Sequence, residues 1–492
     1  MPMKHLSFSL SPYKGTVLIL LIVSCFSFSG CVVNPATGDY DFVLMSEQEE
    51  LNVGSKNNLK VRNQLAILDT QTLQRYVQEV GLKVARVSHR PSLPYQFTVI
   101  DSPEVNAFAL PGGYIYVYRG LLAYLNSEAE LAAVLAHEVA HVTARHSVQQ
   151  HGMSTASNVF GQVVAAYTGV GIAGDLTNIL GTAVVRGYGR EHELEADGLG
   201  ASYLAKAGYN PQAMINVVKV LKNHEVWATK KAEAEGKEAS TYHGIFSTHP
   251  DNDKRLQEVV ANVPTKSQGK VFSRRYLEKI NGLAFGESSS TGVTINNQFL
   301  HKPMNFKVHF PQHWKIINTP ARLIAHPIEK SAIFLMEQGP IKNGFRPDAY
   351  LKSLVDQRYR LRGGQSIHIG NTIGYTAIVQ PKLGGSFIRL AVFFHEGKVF
   401  ILQGQVKQSS TFASYDVEFL QIINSFQSLP PQDYQRAEGN KIKLIKASPG
   451  MTFSALAKRS PIQEQAELQL RLINDMYPKG EPKVGQWLKV IE

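Results

Sequence analysis

"AAVLAHEVAHVTARH" spans residues 132–146, and within it His137, Glu138 and His141 spell H-E-x-x-H. Four residues along a helix amount to about 40° around its axis, so both imidazoles project from one face. Two histidines so placed can take adjacent corners of a zinc tetrahedron. Glu138 is turned about 100° from His137 and can reach a zinc-activated water without ligating the metal. Zinc lowers the pKa of that water toward neutrality, and the glutamate takes its proton and later gives it to a leaving amine. The same five letters also fit an ordinary buried helix, so the rest of the chain has to decide.

Catalytic zinc wants three protein ligands and an open position. One elaboration of the motif, H-E-x-x-H-x-x-G-x-x-H, is excluded because Ala144 and Ser147 stand at its last two fixed places. A glutamate on a second helix is the main alternative. "GREHELEADGLG" (189–200) offers Glu193, with Asp197 one turn on and on the same face, placed to hydrogen-bond a ligating histidine. Glu195 points away and reads as a solvated neighbour, and Glu191 and His192 read as close decoys. Each motif alone is weak; together, in this order, they favour a metal centre over coincidence.

The bulk numbers fit that reading. A chain of 492 residues is too long for one core and implies several domains. With 43% hydrophobic and 18% charged residues it is globular in composition, which argues against intrinsic disorder. The net charge of +11 fits attraction to an anionic surface, but no basic-aromatic module repeats, so nucleic acid is not an expected partner.

At the N-terminus Lys4 and Lys14 precede "GTVLILLIVSCFSFSGC" (15–31), an apolar run too short to span a bilayer. Small residues before Cys31 give the run a bacterial lipobox end, so residues 1–30 are expected to be a lipoprotein signal peptide and Cys31 the lipidated residue. Cys25 is a rival site. The chain has two cysteines, both in this leader, which leaves no disulfide and no cysteine metal site beyond it. Val32 is not the aspartate that commonly retains such proteins in the inner membrane, which favours the outer membrane, facing the periplasm of a Gram-negative cell.

Periodicity predicts helices over 46–88, with Leu73, Tyr76, Val77, Val80, Val84 and Val87 near one face. Strands follow at 95–101 and 113–120, separated by a turn at Pro111-Gly112-Gly113. Ser127 and Glu130 form a capping box opening the His137 helix. A second helix runs from near Arg190 to Gly208, and Asn210-Pro211 opens another. Residues 151–187 read as a core helix pair or as a mobile lid or hydrophobic substrate surface beside the active site, and 230–240 as a charged, solvated loop or frayed helix. "GESSSTG" (286–292) reads as a linker. Beyond it, 293–430 reads as an α+β domain with short strands and helices near 348–360 and 411–427, and 440–492 as a small final module.

The pairing of His137-Glu138-x-x-His141 with Glu193-x-x-x-Asp197 resembles the gluzincin-type metallopeptidases that include the CAAX prenyl protease, HtpX and BepA. "NPATG" (34–38), "NAFALPGGYIYVYRGLL" (106–122) and "STHPDNDKR" (247–255) resemble further elements of that family, and the likeness covers roughly 32–270. It implies an α+β architecture: a mainly helical zinc-peptidase domain (31–285) with a small sheet, whose edge pairs with extended substrate. It implies one zinc per chain on His137, His141 and Glu193, Glu138 as general base and Asp197 orienting the site. His249 and Arg255 match the His-Pro-to-Arg element. There the histidine either plugs the zinc as a fourth ligand or stabilises the oxyanion with the arginine nearby. No helical repeat follows the domain. "FKVHFPQHW" resembles a PsbP-like binding module, and 440–492 resembles a LysM-like tail, which would bind peptidoglycan.

These readings converge on a periplasmic, lipid-anchored zinc metalloendopeptidase that clears misfolded or stalled envelope and outer-membrane proteins. The runner-up is a chaperone-like outer-membrane assembly factor with a latent protease site. A wall-remodelling zinc enzyme is a third reading and depends on the tail binding peptidoglycan.

Overall fold

The computed structural model describes residues 31–151, 189–234 and 268–492, apart from positions 37, 39, 43, 44, 320, 343 and 384. The signal segment, the apolar stretch 152–187, residues 235–240, His249 and Arg255 lie outside the described residues.

After a short antiparallel hairpin, β1 (Cys31–Val33) with β2 (Tyr40–Phe42), the first body is mostly helical. It contains α1 (Glu47–Gln64) and α2 (Gln71–Ala85), then β3 (Gln96–Ile100), β4 (Ala107–Leu110) and β5 (Tyr114–Tyr118). The chain continues through α3 (Arg119–Tyr124), α4 (Glu128–Thr143), α5 (His146–His151), α6 (Arg190–Lys206), α7 (Gln212–Ala234) and α8 (Ser273–Ile280). The strands form one sheet in the order β3-β5-β4, with β3 parallel and β4 antiparallel to β5.

Alanine, leucine and valine surround α4 on every side, and all of its residues are buried. A helix apolar all round belongs at the centre of its domain. Ser127 caps it, accepting from the Glu130 amide at 3.1 Å, but the Glu130 carboxylate bonds the Asn126 amide instead of closing the expected box. α2 lays Leu73, Tyr76, Val77, Val80 and Val84 into the same core.

The second body follows β6 (Ala284–Phe285). β7 (Val293–Ile295), β8 (Gln298–His301) and β9 (Phe306–His309) begin a four-stranded sheet completed later by a two-residue strand at Gln427–Ser428. A seven-stranded antiparallel sheet comprises β10 (Trp314–Asn318), β11 (Arg322–Pro327), β12 (Ala332–Gly339), β13 (Tyr359–Ile369), β14 (Thr372–Pro381), β15 (Ile388–His395) and β16 (Lys398–Val406), in the order β10-β11-β12-β16-β15-β14-β13. α9 (Pro347–Ser353) covers Leu390 and Val392 on one face, and α10 (Phe412–Asn424) covers Ala391 and Phe393 on the other. The helix expected over 348–360 stops at Ser353, and β13 begins at Tyr359. The linker reading of 286–292 does not hold. Ser288 and Ser290 donate to the buried Asp101 carboxylate, and Arg119 bonds Asp101 at 2.6 Å while also donating to the carbonyls of Ala284 and Gly286.

The last segment runs through β17, as we number the strand Gln427–Ser428, to β18 (Asn440–Lys446), α11 (Phe453–Ala457), α12 (Ala466–Ile473) and β19 (Trp487–Ile491). β18 pairs with both β19 and β6. Ile442, Phe453, Leu470, Ile473 and Leu488 join the same core as α2 and α4. The fully buried Lys489 donates to the carbonyls of Ala123 and Leu125, each at 2.7 Å, where the chain enters α4. Among the described residues, no helix is long and apolar enough to cross a membrane.

Candidate metal centre

α4 presents His137 and His141 one turn apart, and α6 packs along it to present Glu193 and Asp197 one turn apart. The close approach depends on Gly200, on the same face of α6. A Cβ there would meet the Met214 methyl at 2.9 Å and the His137 amide nitrogen at 3.2 Å. Ala196, also fully buried on that face, keeps the contact small.

The approach gathers two imidazole nitrogens and the two oxygens of one carboxylate. His137 Nε2 lies 3.0 Å from His141 Nε2 and 3.5 Å from Glu193 Oε2, and His141 Nε2 lies 3.4 Å from Glu193 Oε1. Tetrahedral zinc with bonds of about 2.0–2.2 Å requires ligand atoms roughly 3.3 Å apart. Three buried donors so spaced, two imidazole and one carboxylate, fit that ion, and this group could hold a metal.

The remaining polar groups frame the cluster. Asp197 Oδ1 lies 2.8 Å from His137 Nδ1, so the outer nitrogen carries a proton and Nε2 faces the centre, where a bound metal would take the place of any proton on it. Burial disfavours charge on His137, but Asp197 and Glu193 outweigh it and raise its pKa to about 9. Burial holds His141 well below the ordinary histidine range, helped by the neighbouring His137 and His146 and opposed by Glu193. Glu138 is buried beside His137.

Other neighbours were not anticipated from the sequence. His146, just past the end of α4, sits with its Nδ1 2.7 Å from His141 Nδ1. Glu195, read as solvated, places Oε2 3.4 Å from His146 Nε2. Beneath them Glu50 of α1 joins two buried guanidiniums, Arg90 and Arg145, each at 2.9 Å. The histidine recurring five residues after His141 was the one sequence signal available for this layer.

A helix-borne His-His-Glu centre with a glutamate beside the first histidine defines the class: a metallopeptidase-type site. Residues 71–263 match the model described as Peptidase family M48, and the chain carries a domain of that family. The beta-barrel assembly-enhancing protease of Escherichia coli (strain K12) is 26% identical over 223 residues, covering 44% of this chain and 44% of that protein. The mitochondrial metalloendopeptidase OMA1 of Schizosaccharomyces pombe is 33% identical over 190 residues, covering 38% of this chain and 52% of that protein. The chain thus spans about half the length of these two relatives. A solved cyanobacterial PsbP from Synechocystis aligns with 28% of this chain and 95% of its own, at 12% identity and a TM-score of 0.22, too low to carry an argument.

Proposed function

We propose that this protein is a zinc-dependent metalloendopeptidase of the bacterial envelope. The observation that carries the reading is the buried cluster in which His137 and His141, on the helix that also bears Glu138, meet the Glu193 carboxylate of the neighbouring helix, with facing nitrogen and oxygen atoms 3.0–3.5 Å apart. Zinc, when bound, polarises the scissile carbonyl and acidifies water. Glu138 takes the proton of the attacking water and delivers it to the departing amine. Asp197 keeps His137 in the Nε2-ligand tautomer. His249 and Arg255 are assigned, on the family resemblance, to gating the centre or stabilising the oxyanion.

We further read the protein as a lipoprotein anchored through Cys31 to the outer membrane and facing the periplasm, holding one zinc and acting on misfolded or misassembled envelope proteins. The names of the bacterial relatives support the envelope setting, and the leader sequence supports the anchor. Outer-membrane assembly machinery and peptidoglycan are further candidate partners. The test is degradation of an unfolded model protein by the full chain supplied with zinc, comparing wild type, Glu138→Gln and His249→Ala. Cleavage by wild type or His249→Ala, lost in Glu138→Gln, is the expected result. Zinc-loaded protein inert in both would overturn the peptidase reading in favour of a binding factor.

A further inference from the structure

The two histidines of the centre are held from behind in different ways. His137 meets a carboxylate directly, whereas the outer nitrogen of His141 meets another imidazole. A ligand lone pair on His141 Nε2 puts the proton on Nδ1, and the acceptor 2.7 Å away is His146 Nδ1. His146 must then carry its own proton on Nε2, the atom 3.4 Å from Glu195 Oε2. The other oxygen of Glu195 lies 3.4 Å from the side-chain nitrogen of Asn34, three residues past Cys31.

Packing fixes the intermediary. His146 is fully buried, set edge-on to His141 with ring centres 4.9 Å apart and stacked on His192 at 4.3 Å. It reaches this place because the chain turns back after α4: Arg145 takes a left-handed φ of 58°, uncommon for a non-glycine residue. Glu50 and the Met45 carbonyl hold the Arg145 guanidinium, at 2.9 and 2.7 Å. A conformation costing free energy persists where its surroundings over-determine it, and here the product of the turn is an imidazole beneath a ligand.

We infer that His146 is a positioning residue for the metal centre, fixing the tautomer and ring plane of His141, with Glu195 as the carboxylate behind it. His141–His146–Glu195 is then the longer counterpart of His137–Asp197. The inference rests on the metal-centre reading above and adds to it two residues outside the ligand set.

The experiment uses the purified full chain and reads metal rather than turnover: zinc affinity by chelator competition, and the visible spectrum of the cobalt(II) form. His146→Ala is expected to weaken zinc about 10–100-fold and to shift the cobalt bands. His146→Asn, whose Oδ1 can stand where Nδ1 stood, is expected to recover most of the affinity and the wild-type spectrum. Glu195→Gln should fall between them. His224→Phe, altering a buried histidine beside Trp227 on α7, should change thermal stability and leave the spectrum unmoved. Wild-type affinity and spectrum in His146→Ala would overturn this inference alone. So would an Asn variant no better than Ala. Failure of the wild type to bind either metal overturns the functional reading, and this inference with it.

Discussion

Replacing Lys489 by methionine isolates the joint between the C-terminal segment and the peptidase core. The Lys489 amine has no solvent exposure and bonds two carbonyls at the entry to α4. Burial drives its pKa from 10.5 down to about 7, against the opposing pull of Glu130 and Asp475. An unfolded lysine keeps its proton between pH 7 and 9, whereas the folded one sheds it above about 7. The folded state therefore binds fewer protons in that window, and the stability of the wild type rises with pH. Integrated between those two pKa values, the gain from pH 7 to pH 9 is about 2 kcal/mol. Methionine fills similar volume and does not titrate. It forfeits two hydrogen bonds, an offset of about 1–3 kcal/mol per stranded carbonyl that does not vary with pH. Titrations that do not feel Lys489 are common to both chains and cancel in the difference, leaving Glu130 and Asp475, whose carboxyls the Lys489 charge pulls down, as the coupled groups. Urea unfolding at pH 7, 8 and 9, followed through Trp227 and Trp487 in a Trp314→Phe background, reads it directly. The wild-type advantage over Lys489→Met is expected to grow by about 2 kcal/mol. A difference flat to within about 0.5 kcal/mol would mean that the folded amine keeps its proton, and the dry joint would be refuted.

Three other perturbations test the supports of the site. Gly200→Val should force α6 away from α4, costing about 1–3 kcal/mol and weakening zinc; Gly198→Ala, where a Cβ meets nothing within 4 Å, should stabilise by about 0.5–1 kcal/mol with zinc affinity unchanged. Thermal melts with paired chelator titrations distinguish the two. Glu50→Gln strands the buried guanidiniums of Arg90 and Arg145, and a loss of about 3–5 kcal/mol is expected in urea unfolding; a loss under 1 kcal/mol would show the pair to be hydrated. Asp101→Ala removes the acceptor of Ser288 and Ser290, so a glutamate-specific protease should cut after Glu287 in the variant and spare the wild type. Equal cutting of both would mean that the segment is a free linker after all.

The contrast among these residues shows what a sequence can disclose. His137, His141, Glu193 and Asp197 were legible because helical spacing puts each pair on one face, and their residue types have a shared chemistry. His146 escaped because a left-handed residue, Arg145, intervenes, so its position obeys no helical period. Glu195 was read as solvated for the same reason: its partner His146 opens a new helix beyond the left-handed Arg145 and so falls outside the period of the preceding one. The serine-rich stretch at 286–292 looks mobile by composition, and nothing local reveals that the Asp101 carboxylate waits for it across the fold. The joint at Lys489 links residues more than 360 positions apart, with no signal but an apolar strand carrying one lysine. The extent of the helix at Pro347 was overestimated because its apolar pattern runs on into β13, where period two takes over.

The central claim is that His137, His141 and Glu193 together hold one zinc. Equilibrium dialysis of the full chain against buffered zinc, followed by elemental analysis, tests it most directly when wild type is set beside His137→Ala, His141→Ala and Glu193→Ala. The account predicts one tightly held zinc per wild-type chain and its loss in each variant at the same free zinc. Wild-type stoichiometry retained in any of the three, or no zinc on the wild type, would contradict it.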